Sequence, residues 1–440
     1  MRVIWNRAAA WLVGVSGLGV GMALAGPGPG FSRVIEHDEG LRTTLEMVVR
    51  AYQPVHGSGP TIYLAAAVHI GDETFYTHLQ TILNGLDVVL YEGVQPPGQG
   101  RDRRWGIEKD DAFRAKVTQA RAHFLGVFLE EFRNHHGRYP TSLVELHEGI
   151  PQEQRALLEP ALFDAWGRNF SVSVVEPQLA ERRRRGGRDV QSAERPIAYV
   201  VSLGADGMLG GEGSAADIFA SPAFPPSAFD AGERAQGIQQ RLADALHLEF
   251  QLVRMDHSLP NWRNSDVGVD EIQRSLSEMG AEGQGEMLFD ALGGQGLTGG
   301  IARLLVGIVG RSTSMRESTK AMLVDVLARA DELLPAQEQM LGPLMEIILD
   351  HRNDVVVADL KRVLEDERGV RSIGIIYGAG HLPGIERALI EDLGYAPAGQ
   401  RWVPAITADL GKAGMNVRQA KRIRESLRRQ IDAQLQRGQR

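Results

Sequence analysis

Three residues stand where short apolar runs of the chain end. His69 closes "TIYLAAAV", Glu92 closes "DVVLY" and His381 closes "RSIGIIYGAG", each with glycine close by. Two neutral imidazoles and one carboxylate make an adequate ligand set for zinc, manganese, cobalt or a similar divalent transition metal, with positions left for water and substrate. Water acidified by such an ion would attack a carbonyl carbon. Glu92 has two open roles, as a ligand or as the general base beside an ion held by the histidines alone. Arg352, in "HRND", is a candidate for holding a substrate carboxylate or a developing oxyanion. Each histidine taken singly also reads as a hydrogen-bonded structural residue at a strand end. The shared placement of three is what favours a site.

The three runs lack the alternation of a strand with one wet face, and so predict buried strands. Between the first two, "GDETFYTHLQTILNGL" puts Phe75, Leu79, Ile82 and Leu83 at helical spacing. A strand, helix, strand unit of this kind predicts a parallel sheet. In open α/β sheets ligands bind outside the carboxyl ends of the strands, where His69, Glu92 and His381 fall. Gly378 and Gly380 are expected to turn the backbone before His381, and Gly71 and Gly93 follow the other two strand ends. Helical segments in the C-terminal half, among them "DEIQRSLSEMG", "STKAMLVDVLARADELL" and "DVVVADLKRVLEDERG", are expected to cover the sheet. The fold class is α/β, with a mainly parallel sheet, many helices and a small α+β insert.

That insert is marked by a change of texture from Asp111 to about Pro222. Phe113, Val117, Phe124, Val127, Phe128 and Phe132 predict an amphipathic helix, followed by "HHGRYPTSLVEL", the solvated run Arg182 to Arg185, and the glycine-rich "LGADGMLGGEGSAAD". The predicted division is 1–25, a signal peptide or N-terminal anchor; 31–110 and 226–412, two parts of one domain; 111–222, the insert; and 413–440, a basic amphipathic tail helix. In the tail, Ile423, Leu427, Ile431 and Leu435 recur among arginines and lysines, which suits an anionic membrane, a partner or a solvated helix. The glycine-rich "ALGGQGLTGG" lacks the Gly-Lys-Ser/Thr ending of a phosphate loop.

Length and composition bound the rest. At 440 residues the chain is long enough for two or three domains. Apolar residues at 43% and charged residues at 24% argue against wholesale disorder. A formal net charge of -8 disfavours nucleic acid as a partner. The absence of cysteine excludes disulfides, thiolate metal sites and cysteine nucleophiles. Arg2 and Arg7 precede an uncharged run from Ala8 to Ala25 that ends in a small-x-small pattern, so the body is expected to be exported to the periplasm or beyond, free or membrane-anchored.

"AAAVHIGDETFYTHLQTIL", "DVVLYEG", "HRND" and "IIYGAGHLPGIERAL" resemble the successive motifs of the TraB/PrgY/GumN family, which includes the TIKI proteases and is related to the ChaN and erythromycin-esterase-like folds. The resemblance spans about Thr61 to Gly93 and roughly Gln239 to Leu410. It implies a secreted or membrane-associated protein with two Gly-x-x-His motifs, a glutamate and an arginine around a metal-dependent hydrolytic site. By position the second motif is Gly378 to His381, the glutamate is Glu92 and the arginine is Arg352. Ala66 stands where the family has glycine ahead of His69.

The insert has a resemblance of its own. "GRYPTSLVEL", "FDAWGRNFSV" and "YVVSLGADGMLGGEGSAADI" are similar, in that order, to the globular part of the type II secretion major pseudopilin, the GspG family. The last motif implies a calcium loop, with Asp206 and Asp217 as side-chain ligands and the Leu203 carbonyl as a backbone ligand; a glycine-rich turn offering hard oxygens suits that ion. Glu212 is a less central member. The long apolar helix through which pseudopilins polymerise is not where it should be, because "GFSRVIEHDEG" follows the apolar segment instead of leading it.

The expectation is an exported metal-dependent hydrolase acting on a peptide bond or another acyl linkage, with a calcium-binding insert. The alternative is a non-catalytic envelope scaffold, or a secretion-related binding protein, whose insert docks a partner. A filament-forming pseudopilin ranks last.

Overall fold

A computed structural model describes residues 30–94, 110–176, 195–229, 243–278, 312–329 and 349–438. The segment 1–25, the run Arg182 to Arg185 and the stretch 291–300 lie outside the described residues. Among the described residues, no helix is long and apolar enough to cross a membrane.

The strands in chain order are β1 Ser32–His37, β2 Arg42–Pro54, β3 Thr61–Ala67, β4 Ile70–Gly71, β5 Val88–Tyr91, β6 Ser171–Val175, β7 Ile197–Ser202, β8 Ile218–Ala220, β9 Glu249–Phe250, β10 Trp262–Asn264, β11 Ser372–Gly378 and β12 Tyr395–Asp409. One seven-stranded sheet runs β1-β2-β3-β11-β5-β10, with β12 also paired to β2. Its middle is parallel, β3 to β11, β11 to β5 and β5 to β10, while β1, β2 and β12 add antiparallel pairs on the β3 side. The protein is therefore mixed α/β, with a largely parallel central sheet and many helices. β3 is buried along its whole length, as continuous apolar sequence requires when both faces are covered.

Helix α1, Glu73–Asn84, joins β3 to β5 and turns Phe75, Leu79, Ile82 and Leu83 into the core. The two strands it joins are not neighbours: β11 lies between them, with Ile375 opposite Leu64 on one side and Leu90 on the other. Close packing at this point explains a glycine. A Cβ on Gly374 would fall 2.8 Å from Leu86 and 2.9 Å from Leu83, so no larger residue lets the corner between α1 and β5 lie on β11.

The region from residue 111 forms helices α2 Asp111–His136, α3 Leu143–Gly149 and α4 Gln152–Leu158, then the antiparallel sheet β6-β7-β8. Asp110 caps α2 by accepting from the Phe113 N–H at 2.7 Å, and Gly137, in the left-handed conformation, ends it. Phe113, Val117, Phe124, Phe128 and Phe132 are buried, and Val127 is half-buried. The apolar core runs without a break from the large sheet into this region.

Arg121 fastens the two. Its buried guanidinium donates to the carbonyls of Gly85 at 2.7 Å and Phe163 at 3.0 Å, and pairs with Asp87 at 3.1 Å. Asp87 in turn accepts from the backbone N–H groups of Arg371 and Ser372 at the start of β11.

The tail helix, Val417–Gly438, lies against the protein through Ala420, buried with Ala321, Ala408 and Leu410, and through its charges. Buried Arg424 pairs with Asp325 and Glu36, each at 2.8 Å, and Arg428 also reaches Glu36 at 2.9 Å. Part of its basic face is thus used within the chain. The side chains of Leu427, Ile431 and Leu435 lie outside the described residues.

Candidate functional site

β5 delivers Glu92 and β11 delivers His381 to the same end of the sheet, because the strands are adjacent and parallel. The side chains meet there, with Glu92 Oε1 3.7 Å from His381 Nε2. The helix His351–Asp366 presents Arg352 in its first turn between them. The Arg352 guanidinium donates to Glu92 Oε1 at 2.5 Å from Nη2, and its Nη1 lies 3.3 Å from His381 Nε2. Arg352 and His381 are buried, and the Glu92 side chain is nearly so.

The other carboxylate oxygen of Glu92 accepts from the Gly378 N–H at 2.6 Å. Neither Gly378 nor Gly380 has a left-handed backbone, so the expected sharp turn is not what glycine supplies here. What Gly378 supplies is closeness: a Cβ there would sit 3.3 Å from the Glu92 carboxylate. Ala66 is an interior residue of β3, fully buried opposite Tyr377, and its backbone is not left-handed.

Two residues not singled out in the sequence complete the cluster, Asp266 and the Asn353 of "HRND". Asp266, fully buried just after β10, accepts from Arg352 Nε at 2.9 Å and Nη2 at 2.7 Å. It also accepts from the N–H groups of Gly93 at 2.9 Å and Val267 at 2.8 Å. Asn353 faces His381, its Oδ1 2.9 Å from Nδ1. These bonds fix the tautomer: Nδ1–H donates to Asn353, and Nε2 accepts from Arg352. The Tyr377 ring stands edge-on to the imidazole at 5.2 Å, and its hydroxyl donates to the Ser265 carbonyl.

The charges follow from burial and neighbours. Burial pushes the Glu92 carboxyl up, but the charges of Arg352, His381 and His69 and the Gly378 N–H together bring it down to about 2. Burial lowers His381 to about 4, outweighing the upward pull of Glu92, so the imidazole is neutral at pH 7. For Arg352 burial lowers the pKa, yet the hydrogen bond to Asp266 and the charges of Glu92 and Asp266 raise it overall. A carboxylate engaged on both oxygens and held near 2 is poorly matched to general-base work at neutral pH.

His69 lies beyond the end of β3, exposed, near enough to act electrostatically on both Glu92 and His381. Its backbone carbonyl accepts from the Gln251 N–H at 2.9 Å. Among the described residues, no three His, Asp or Glu side chains close into a metal centre. The donor states are nonetheless those a divalent ion takes: an ionised carboxylate and a neutral imidazole whose far nitrogen is held by an amide oxygen. Two carboxylates also share one guanidinium here, which leaves room for a further positive charge.

Between β7 and β8, the loop from Leu203 to Asp217 is built on glycine. Gly204, Gly207, Gly210, Gly211 and Gly213 all have φ between 61° and 96°. A Cβ on Gly204 would fall 2.5 Å from the carbonyl oxygens of both Ala215 and Ala216, so the loop closes on itself there. Asp206 accepts from the Met208 N–H and Asp217 Oδ2 from the Gly210 N–H, both at 2.9 Å. Asp217 Oδ1 is buried with no hydrogen-bond partner. The Leu203 carbonyl accepts from the Gly207 N–H at 3.1 Å, Glu212 is exposed, and Arg168 reaches the carbonyls of Gly204 and Ala205.

Comparison with protein families, with curated proteins and with solved structures finds no match to this chain.

Proposed function

We propose that the chain is an exported metal-dependent hydrolase of the TraB/TIKI type, acting on a peptide bond or another acyl linkage. The observation that supports this reading best is the meeting of Glu92, His381 and Arg352 at the carboxyl ends of β5 and β11. Glu92 Oε1 and His381 Nε2 would hold the ion, with His69 as the third donor. A zinc, manganese or cobalt ion held there would polarise the scissile carbonyl. Arg352 faces the same space with a fixed positive charge and would hold the oxyanion that develops on the carbonyl oxygen. Asp266 keeps that guanidinium aimed, and Asn353 keeps the imidazole in the tautomer whose Nε2 is a donor of electrons.

The insert is read as a pseudopilin-like domain that binds calcium through Asp206, Asp217 and the Leu203 carbonyl. Its support is the unpartnered, buried Oδ1 of Asp217 in a loop of hard oxygens. Export rests on the sequence of residues 1–25.

The second reading, a non-catalytic envelope scaffold, is favoured by the guanidinium of Arg352, which already bonds to Glu92 and lies against His381 Nε2. Elemental analysis of the purified chain, with His69→Ala, His381→Ala and Asp206→Ala variants beside it, separates the two. Near-stoichiometric transition metal lost with either histidine, and calcium lost only with Asp206, is the outcome expected of the hydrolase. Calcium alone, even after reloading with transition metal, would leave the scaffold.

A further inference from the structure

A cavity of about 520 Å³ opens between α1, α2 and two later segments, Pro226 to Phe229 and Arg254 to Leu259. It lies away from Glu92 and His381. α1 runs from the carboxyl end of β3 toward the start of β5, and the cavity touches it only from Thr77 to Asn84. Asp256 and Leu259 precede β10, where the Leu259 carbonyl accepts from the Trp262 N–H at 3.0 Å. The cavity is therefore at the amino ends of β5 and β10, and the candidate hydrolytic site is at their carboxyl ends.

Its inner wall is preformed. Gln80 donates to the Asp256 carbonyl at 3.1 Å and accepts from the Asp256 N–H at 2.8 Å. Asn84 accepts from the Trp262 indole at 2.9 Å, and the Thr77 and Thr81 hydroxyls donate back into their own helix. The polar groups of this wall thus have partners already, and Leu259, Phe229, Pro226 and Ala120 add apolar surface. At the rim stands Lys116 of α2, exposed and, among the described residues, in no ion pair. His123 on the same helix is pushed below its ordinary pKa by burial, and its Nε2 lies 3.0 Å from the Gln119 amide nitrogen. The arrangement is that of a ligand pocket: mostly apolar or satisfied walls, two cations of which Arg254 is already paired with Glu73 and Glu249 while Lys116 is left to fix orientation, and a position where α1 packs on α2.

We propose that this cavity binds a small organic anion with an apolar body, its charged group on Lys116 and its body against Leu259, Phe229 and Ala120. The site is independent of the hydrolytic reading, since no residue is shared.

The probe is anilinonaphthalene sulfonate, followed by fluorescence with the full chain, and the neutral control is N-phenyl-1-naphthylamine, the same body without the sulfonate. The proposal expects saturable one-to-one binding of the sulfonate, weakened about tenfold by Lys116→Ala, a loss of about 1.4 kcal/mol. The neutral probe should bind equally to the parent and Lys116→Ala. Ala120→Trp, which fills the cavity from α2, should abolish both. Ala228→Trp fills it from an exposed loop, and gives the same test free of any effect on helix packing. Absence of saturable binding by the parent, or binding unchanged in Ala228→Trp, would overturn the proposal.

Discussion

Asp266 grips Arg352 with two near-parallel hydrogen bonds, 2.9 Å from Nε and 2.7 Å from Nη2, in a place where the aspartate has no exposed surface. A paired carboxylate this deep is a strong constraint, because removing it takes the acceptor from Arg352 Nε and from the N–H groups of Gly93 and Val267, and leaves Glu92 to balance the guanidinium. Asp266→Ala is expected to cost about 3–5 kcal/mol of stability. Urea unfolding of the two proteins checks it, and a midpoint shift worth less than 1 kcal/mol would count against the buried pair.

Asn353 holds the His381 ring at Nδ1, a position from which the charge of the imidazole can be changed. Replacing the amide by a carboxylate, Asn353→Asp, puts a negative charge 2.9 Å from Nδ1 and should raise the imidazole from about 4 by about a unit or more. Proton NMR of the His381 ring across pH 3 to 8 reads this directly. An unchanged titration would show that Asn353 does not face the ring in solution.

His257 sets part of the acid limit of the fold. Burial lowers its pKa to about 4, against a smaller upward pull from Asp256, and its ring packs 4.5 Å from Tyr91 and 5.2 Å from Trp262. The unfolded chain takes up the proton near 6.5 and the folded chain only near 4. Its contribution is therefore complete above about 6.5, falls as pH drops toward about 4, and is constant below that. His381 adds a second group of the same sign. His257→Phe should flatten the loss between those limits by about 1.4 kcal/mol per pH unit at most. Thermal unfolding from pH 4 to 7 measures the slope, and parallel curves for the two proteins would refute the assignment.

Arg121 should matter to the whole chain and not to one helix. It joins α2 to the Gly85 carbonyl, to Asp87 and through Asp87 to the start of β11. Arg121→Met keeps much of the volume and removes the donors, leaving buried carbonyls unpaired at a cost of about 3 kcal/mol. One cooperative transition at lower temperature is expected; an early separate transition of residues 111–222 would mean that the insert is only loosely joined.

Calcium should raise the melting temperature if Asp217 Oδ1 is waiting for a cation. At a concentration of about a hundred times Kd the gain is about 2.7 kcal/mol. Scanning calorimetry with calcium and with a chelator tests this, and Asp217→Asn should lose the difference. Equal traces for the parent chain would mean that the loop holds its shape through its glycines and Arg168 alone.

The strands that bring the site together were legible because burial on both faces leaves an unbroken apolar run, as in β3, β5 and β11. Glu92 and His381 followed from where those runs stop. Asp266 was not legible: β10 is three residues long and holds Arg263 and Asn264, so no run announces the strand or its end. β2 and β12 were missed for a related reason. The buried positions of β2 include Thr44 and Arg50, whose polar groups meet Thr407 and Gln400 of β12 and the Glu386 carboxylate, partners that only the folded chain supplies. The order of the middle strands was also hidden, because a strand, helix, strand unit predicts neighbours, and nothing local reveals that a third strand enters between them.

That third strand has a kinetic consequence. β3 and β5 are both made before residue 92, but the gap between them is filled only by Ser372 to Gly378. A chain emerging from the ribosome, or arriving through a translocation pore, holds two halves of a sheet with open edges until Gly378 is delivered. Pairing across so long a loop is slow, and strand edges left open meanwhile are where aggregation begins. β11 thus acts as the clasp of the fold, and truncations that remove it should yield insoluble protein instead of a smaller domain.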